Sequence, residues 1–184
     1  MKGKDLLNDN ELMNKVISGD NTAFDELVIL HRRAAILFAY NFVYDYGIAE
    51  DIVQEAFVKI YILKDNYKPT NSFKTYLYTI IRNSSIDYLR GNKVRAKYLS
   101  EMKMQEGRKE LSAEEEFLYE NKYSEIAEIF YSLKGDYRTA LYLYAINDCS
   151  YKEVASIMKK TVAQTKITIH RARKKLQDSL EERK

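Results

Sequence analysis

The chain has 184 residues, 46% of them hydrophobic, with a formal net charge of +3. That is enough for one ordinary domain or two small ones with a packed core, and too little charge to point to nucleic acid by its sum alone. Its single cysteine, Cys149, excludes an intramolecular disulfide framework and a zinc site of paired cysteines, and is expected to pack as a small buried residue. The opening Met-Lys-Gly-Lys-Asp-Leu-Leu has no apolar run of signal-peptide length, and no stretch approaches the length needed to span a membrane. The chain is expected to be soluble and cytoplasmic, with no direct membrane insertion.

One proline and six glycines argue for long helices with few breaks. Apolar residues recur at three- and four-residue spacing, which predicts an all-α fold. The first helix is expected over about Asn10 to Ser18, ended by Gly19 and Asp20. Asn21 or Thr22 then caps a second, over about Ala23 to Tyr44, with Phe24, Leu27, Val28, Leu30, Leu37, Phe38 and Phe42 as core. After a turn at Tyr46 and Gly47, a third helix covers about Ala49 to Leu63, with Ile52, Ala56, Ile60 and Leu63 inward. A fourth runs from Ser72 or Phe73 to about Arg90. Its inward stripe is Phe73, Leu77, Ile80, Ile81, Ser84 and Tyr88, and an Asp87–Arg90 ion pair squares off its end. The charged, methionine-spotted stretch from about Val94 to Ser112 is a poor core and reads as a linker. Helices follow over Phe117 to Leu133 and Asp136 to Ile146, with Gly135 between them. Ser150 and Glu153 then form a capping box, and a last helix covers about Val162 to Leu180.

Two features carry chemistry. The third helix exposes Asp51, Gln54, Glu55 and Lys59 at helical spacing. The fourth interleaves Lys74, Arg82 and Arg90 with Tyr76, Tyr78 and Tyr88. Cations that track phosphate and rings that accept unstacked bases suit single-stranded nucleic acid. Charge is also distributed in blocks: Arg90 to Lys97 and Lys166 to Lys175 are basic, and Glu110 to Glu120 between them is acidic. Two DNA-contacting modules with a linker fit that pattern.

Residues 150 to 176 have the rhythm of a helix-turn-helix. Val154, Ala155, Ile157 and Met158 form a buried face, Lys159 to Thr161 a short turn, and Thr161 caps the next helix. Val162, Ile169, Ala172 and Leu176 point to the core, leaving Lys166, Ile167, His170 and Arg171 outward. Such a helix reads bases from its N-terminal half and holds phosphates with Arg173, Lys174 and Lys175. No nucleophile motif or glycine-rich phosphate loop is present. His31 and His170 have no companion ligands, so no metal, cofactor or catalytic residue is expected and the chain reads as a non-enzyme.

Together, Ala-Glu-Asp-Ile-Val-Gln-Glu-Ala-Phe-Val-Lys-Ile-Tyr, Ser-Phe-Lys-Thr-Tyr-Leu-Tyr-Thr-Ile-Ile-Arg-Asn-Ser-Ser-Ile-Asp-Tyr-Leu-Arg, Ser-Tyr-Lys-Glu-Val-Ala-Ser-Ile-Met and Ile-His-Arg-Ala-Arg-Lys-Lys-Leu resemble the bacterial RNA polymerase sigma factors of the extracytoplasmic-function type, in the sigma-70 family. The resemblance implies two small helical domains joined by a flexible linker: a sigma-two domain over 1–95, a linker over 96–114 and a sigma-four domain over 115–184. It implies core RNA polymerase and promoter DNA as partners, with an anti-sigma protein holding the chain between its domains. Asp51, Gln54, Glu55 and Lys59 would then dock on the polymerase clamp. The loop from Lys64 to Ser72, with Asn66, Tyr67, Lys74, Tyr76 and Asn83, would hold a base flipped from the −10 element. Lys166, Ile167, His170, Arg171, Arg173 and Lys174 would face the −35 element. Tyr76 stands where relatives often have tryptophan, and Ile167 where they often have a hydrogen-bonding group; it could contact a thymine methyl. The alternative is a helix-turn-helix regulator that is not a polymerase subunit.

Overall fold

The computed structural model of the chain describes residues 8–68, 72–100 and 124–182. Its elements are α1 (Asp9–Ile17), α2 (Asn21–Val43), α3 (Tyr46–Ile62), a 3₁₀ turn (Lys64–Asn66), α4 (Phe73–Ser100), α5 (Ser124–Ser132), α6 (Gly135–Leu141), a π turn (Tyr142–Ile146), α7 (Tyr151–Met158) and α8 (Val162–Glu181). No strand occurs among the described residues, as the three- and four-residue spacing predicts. None of their helices is long and apolar enough to cross a membrane.

Helix ends follow side-chain caps. Asp20, rather than Asn21 or Thr22, caps α2, its carboxylate accepting from the Thr22 and Ala23 amides. Those bonds, led by the one from the Thr22 hydroxyl, hold its carboxyl below the usual range. Asp45 accepts from the Ile48 amide 2.9 Å away, so Tyr46 and Gly47 begin α3 instead of forming a turn. The cost of one helical glycine, about 1 kcal/mol, is small beside the apolar face α3 buries. α4 runs through Gly91 and ends at Ser100, so helix covers the first residues read as linker; 101–123 lie outside the described residues. The Asp87–Arg90 pair forms at 3.4 Å on the exposed surface.

The N-terminal module packs α1, α3 and α4 around α2. Leu27, Phe38, Ile60, Phe73, Leu77 and Ile81 are buried at its centre. Three positions expected inside are exposed: Leu30, Leu63 and Val162. Leu30 sits at the margin of the α2 apolar stripe, Leu63 follows the end of α3, and Val162 opens α8, places where spacing alone does not decide burial. Tyr78, read as part of a ring-bearing surface, is 1% exposed. It stacks edge-on against Phe38 at 4.8 Å.

The two modules share one core, which runs from Leu12 to Ile169 and includes Tyr142, Leu143 and Cys149. Polar bonds reinforce it. The Tyr78 hydroxyl donates to Asn147 Oδ1 (2.7 Å) and Lys74 Nζ to the Asn147 carbonyl (3.0 Å). Ser72 Oγ donates to Glu153 (2.5 Å) and the Tyr142 hydroxyl to the Ala34 carbonyl (3.0 Å). Arg138, 7% exposed, reaches the Asn41 carbonyl at 2.8 Å while also bonding the Tyr131 and Leu133 carbonyls that end α5. Asn147 is set by the π turn, closed by its amide on the Tyr142 carbonyl (3.1 Å), and by Asp148 in the left-handed region, which Asp tolerates.

Candidate nucleic-acid and polymerase interfaces

Three surfaces carry the predicted residues. The first is α3. Its buried positions Ala49, Ile52, Val53, Ala56, Phe57 and Ile60 leave the other side in solvent. There Asp51, Gln54, Glu55 and Lys59 line one shallow depression of about 560 Å³ with Val58, Ile62 and Leu63. All four predicted side chains are brought together. The apolar members were missed, although helical phase puts Val58 one turn and Ile62 two turns from Gln54 and Glu55. Val58 and Ile62 are 52% and 70% exposed. The result is an apolar floor rimmed by charge. An adjoining groove, also bordered by Gln54 and Val58, carries the Arg32–Glu50 ion pair.

The second surface surrounds the turn after α3. Asn66 is exposed. Tyr67 is buried, donates its hydroxyl to Asn10 Oδ1 at 2.9 Å and meets the Tyr76 ring edge-on at 5.4 Å. Burial, with Asp9 nearby, pushes its phenol up to about 12. Tyr76 and Asn83 are two turns apart on one side of α4 and half-buried. Lys74 points elsewhere, to the Asn147 carbonyl. The structure therefore groups Asn66, Tyr67, Tyr76 and Asn83 on one side and leaves Lys74 between the modules. Pro69 to Asn71 of the predicted loop lie outside the described residues.

The third surface is the helix-turn-helix. Both halves of the Ser150–Glu153 capping box form. Thr161 and Gln164 make a second box that starts α8. Lys159 turns between them in the left-handed region, and Lys160 pairs with Asp136 at 2.9 Å. Val154, Ala155, Ile157 and Met158 are buried as expected. α8 buries Thr165, Ile169 and Ala172, which leaves Lys166, Ile167, His170, Arg171, Arg173 and Lys174 exposed. Arg171, Lys174 and Lys175 flank a cleft of about 480 Å³ shared with Lys134 and Tyr137. Sequence reading also missed Tyr144 and Tyr151, whose rings stack beside α8 at 4.6 Å.

Among the described residues no group of three or more metal-ligating side chains gathers. His31 is buried against the Phe73 ring, with Nε2 2.9 Å from Asp9, and His170 stands in solvent on α8.

The family model for sigma-70 region 2 matches residues 27–95, and that for sigma-70 region 4 matches residues 124–176. The chain is 30% identical to the RNA polymerase sigma-H factor of Pseudomonas aeruginosa over 181 residues, 94% of each chain. It is 28% identical to the ECF RNA polymerase sigma-E factor of Escherichia coli K12 over 183 residues, 95% of each. Among solved structures it is similar to CnrH, determined in complex with the cytosolic domain of CnrY. That match has 25% identity and a TM-score of 0.68, over 95% of this chain and 97% of that one. A likeness of fold alone extends to the sigma factor RpoE of Bartonella quintana, solved with the anti-sigma factor NepR. Its identity is 22% and its TM-score 0.69, over 86% and 96% of the two chains.

Proposed function

Because the chain belongs to the sigma-70 family, as a sigma factor of the ECF type, we propose that it binds core RNA polymerase through α3, opens the −10 element with the region around Lys64 to Ser72, and reads the −35 element with α8. The observation that carries this reading is the order of the two matched regions, each bearing an exposed polar or basic face of the matching kind. A regulator of the helix-turn-helix class would share only the second.

In this reading the apolar floor of Val58, Ile62 and Leu63 supplies area, and Asp51, Gln54, Glu55 and Lys59 set register on the clamp. Tyr76, Tyr67, Asn66 and Asn83 receive the flipped base, with Lys74 on the backbone. Lys166, Ile167, His170 and Arg171 face base edges, and Arg173 and Lys174 hold phosphates. The functional division is 1–95, 96–114 and 115–184. Chemistry belongs to the polymerase, so the chain itself is no enzyme and works in the cytoplasm. The complexes in which CnrH and RpoE were solved support a protein partner that holds this chain inactive.

Run-off transcription on genomic DNA tests the proposal. A promoter-specific transcript is expected only when core enzyme and this chain are both present. Tight sequence-specific duplex binding by the chain alone, with no transcript, would favour the regulator.

A further inference from the structure

We propose that Tyr144 and Tyr151 form an aromatic brace that holds Lys166 and Arg173 of α8 in the setting from which the helix grips duplex promoter DNA, an inference that rests on the −35 reading above. Tyr144 lies in the π turn and Tyr151 opens α7. Their rings stack at 4.6 Å with 28° between planes. The Arg173 guanidinium lies 4.8 Å from the centre of the Tyr144 ring, and the Lys166 ammonium 5.6 Å from that of Tyr151. Lys166 and Arg173 are two helical turns apart, so they share one side of α8, beside the buried stripe of Thr165, Ile169 and Ala172.

The choice of partner matters. Among the described residues neither cation has a carboxylate within ion-pair distance. A carboxylate would cancel the charge that DNA needs. A ring face attracts a cation through its quadrupole and leaves the net charge intact. Long basic side chains lose rotamer freedom when they meet phosphate, and side chains ordered beforehand lose less. The stacked rings also tie α7 to the π turn, which fixes the platform.

The test uses the full chain, free for solution NMR and assembled with core polymerase for binding to a duplex promoter. In the free chain, ring currents are expected to move the Arg173 Hδ and Lys166 Hε protons upfield. The shift should vanish in Tyr144→Leu/Tyr151→Leu and persist in Tyr144→Phe/Tyr151→Phe. The leucine pair is expected to weaken holoenzyme binding about threefold to tenfold, while the phenylalanine pair stays within about twofold. In a Lys166→Gln/Arg173→Gln background the leucine pair should cost nothing more, because the rings act through those cations. Unshifted protons in the parent chain would remove the brace. Shifted protons with fully additive losses would mean that the rings do not act through the cations. If Lys166→Gln/Arg173→Gln binds promoter as the parent does, the −35 role of these cations falls, whatever the NMR gives. The NMR of the parent and the glutamine and phenylalanine variants decide the matter even if the leucine pair fails to fold.

Discussion

Cys149 is 2% exposed, and burial pushes its thiol up to about 12. An acid held above its ordinary value favours the folded state only while the unfolded chain keeps its proton too. Its contribution is therefore intact below about pH 9 and lost as pH rises towards 12. Thiol-reactive probes at pH 8 should label the native chain at least about a hundredfold more slowly than the urea-unfolded chain; equal rates would contradict the burial. Glu153 moves the other way. Burial raises its pKa, but hydrogen bonds from Ser72 and Ser150 outweigh that and hold it below the ordinary carboxylate range. What the carboxylate contributes is present above about pH 4.5 and disappears as pH falls through its folded value. Glu153→Gln should cost about 1 kcal/mol at neutral pH, the scale of a helix cap. In urea titrations the deficit should shrink below pH 4.5. At this scale local chemistry was legible and distant chemistry was not. The Ser150–Glu153 box could be read across three residues, whereas Ser72 reaches the same carboxylate from 81 positions away.

Among the elements, α3 shows what period alone can and cannot decide. Its buried and exposed faces followed from spacing, so the four polar residues could be named in advance. Spacing could not show that Leu63 leaves the core, because the helix stops at Ile62 and the chain bends into the 3₁₀ turn. Likewise Asp45 and Asp20 outcompeted their neighbours as caps, a contest settled by backbone geometry. Since Gln54 and Glu55 stand in solvent, Gln54→Ala/Glu55→Ala should change stability by less than about 0.5 kcal/mol. It should weaken binding to core polymerase about tenfold in a pull-down titration. Unchanged affinity would remove α3 from the polymerase interface.

At the scale of the molecule, two modules can be read from sequence, but their docking cannot. It depends on Tyr78, Asn147, Lys74 and Arg138, none of which marks a contact by pattern; Tyr78 reads as a surface ring until Asn147 closes over it. The docked arrangement holds Lys74 on the Asn147 carbonyl, away from Tyr76 and Asn83, so Lys74 joins the −10 surface proposed above only once this bond breaks. A double-mutant cycle on Tyr78→Phe and Asn147→Ala measures how firmly the free chain is closed. Asn147→Ala strands a buried hydroxyl and should cost about 1–3 kcal/mol; Tyr78→Phe in that background should cost little, since the hydroxyl is already unpaired. A coupling of about 1 kcal/mol is expected from urea unfolding. Small-angle scattering should show a larger radius of gyration for Asn147→Ala than for the parent. Additive costs within about 0.5 kcal/mol, with unchanged scattering, would mean that Tyr78 and Asn147 do not hold the modules together.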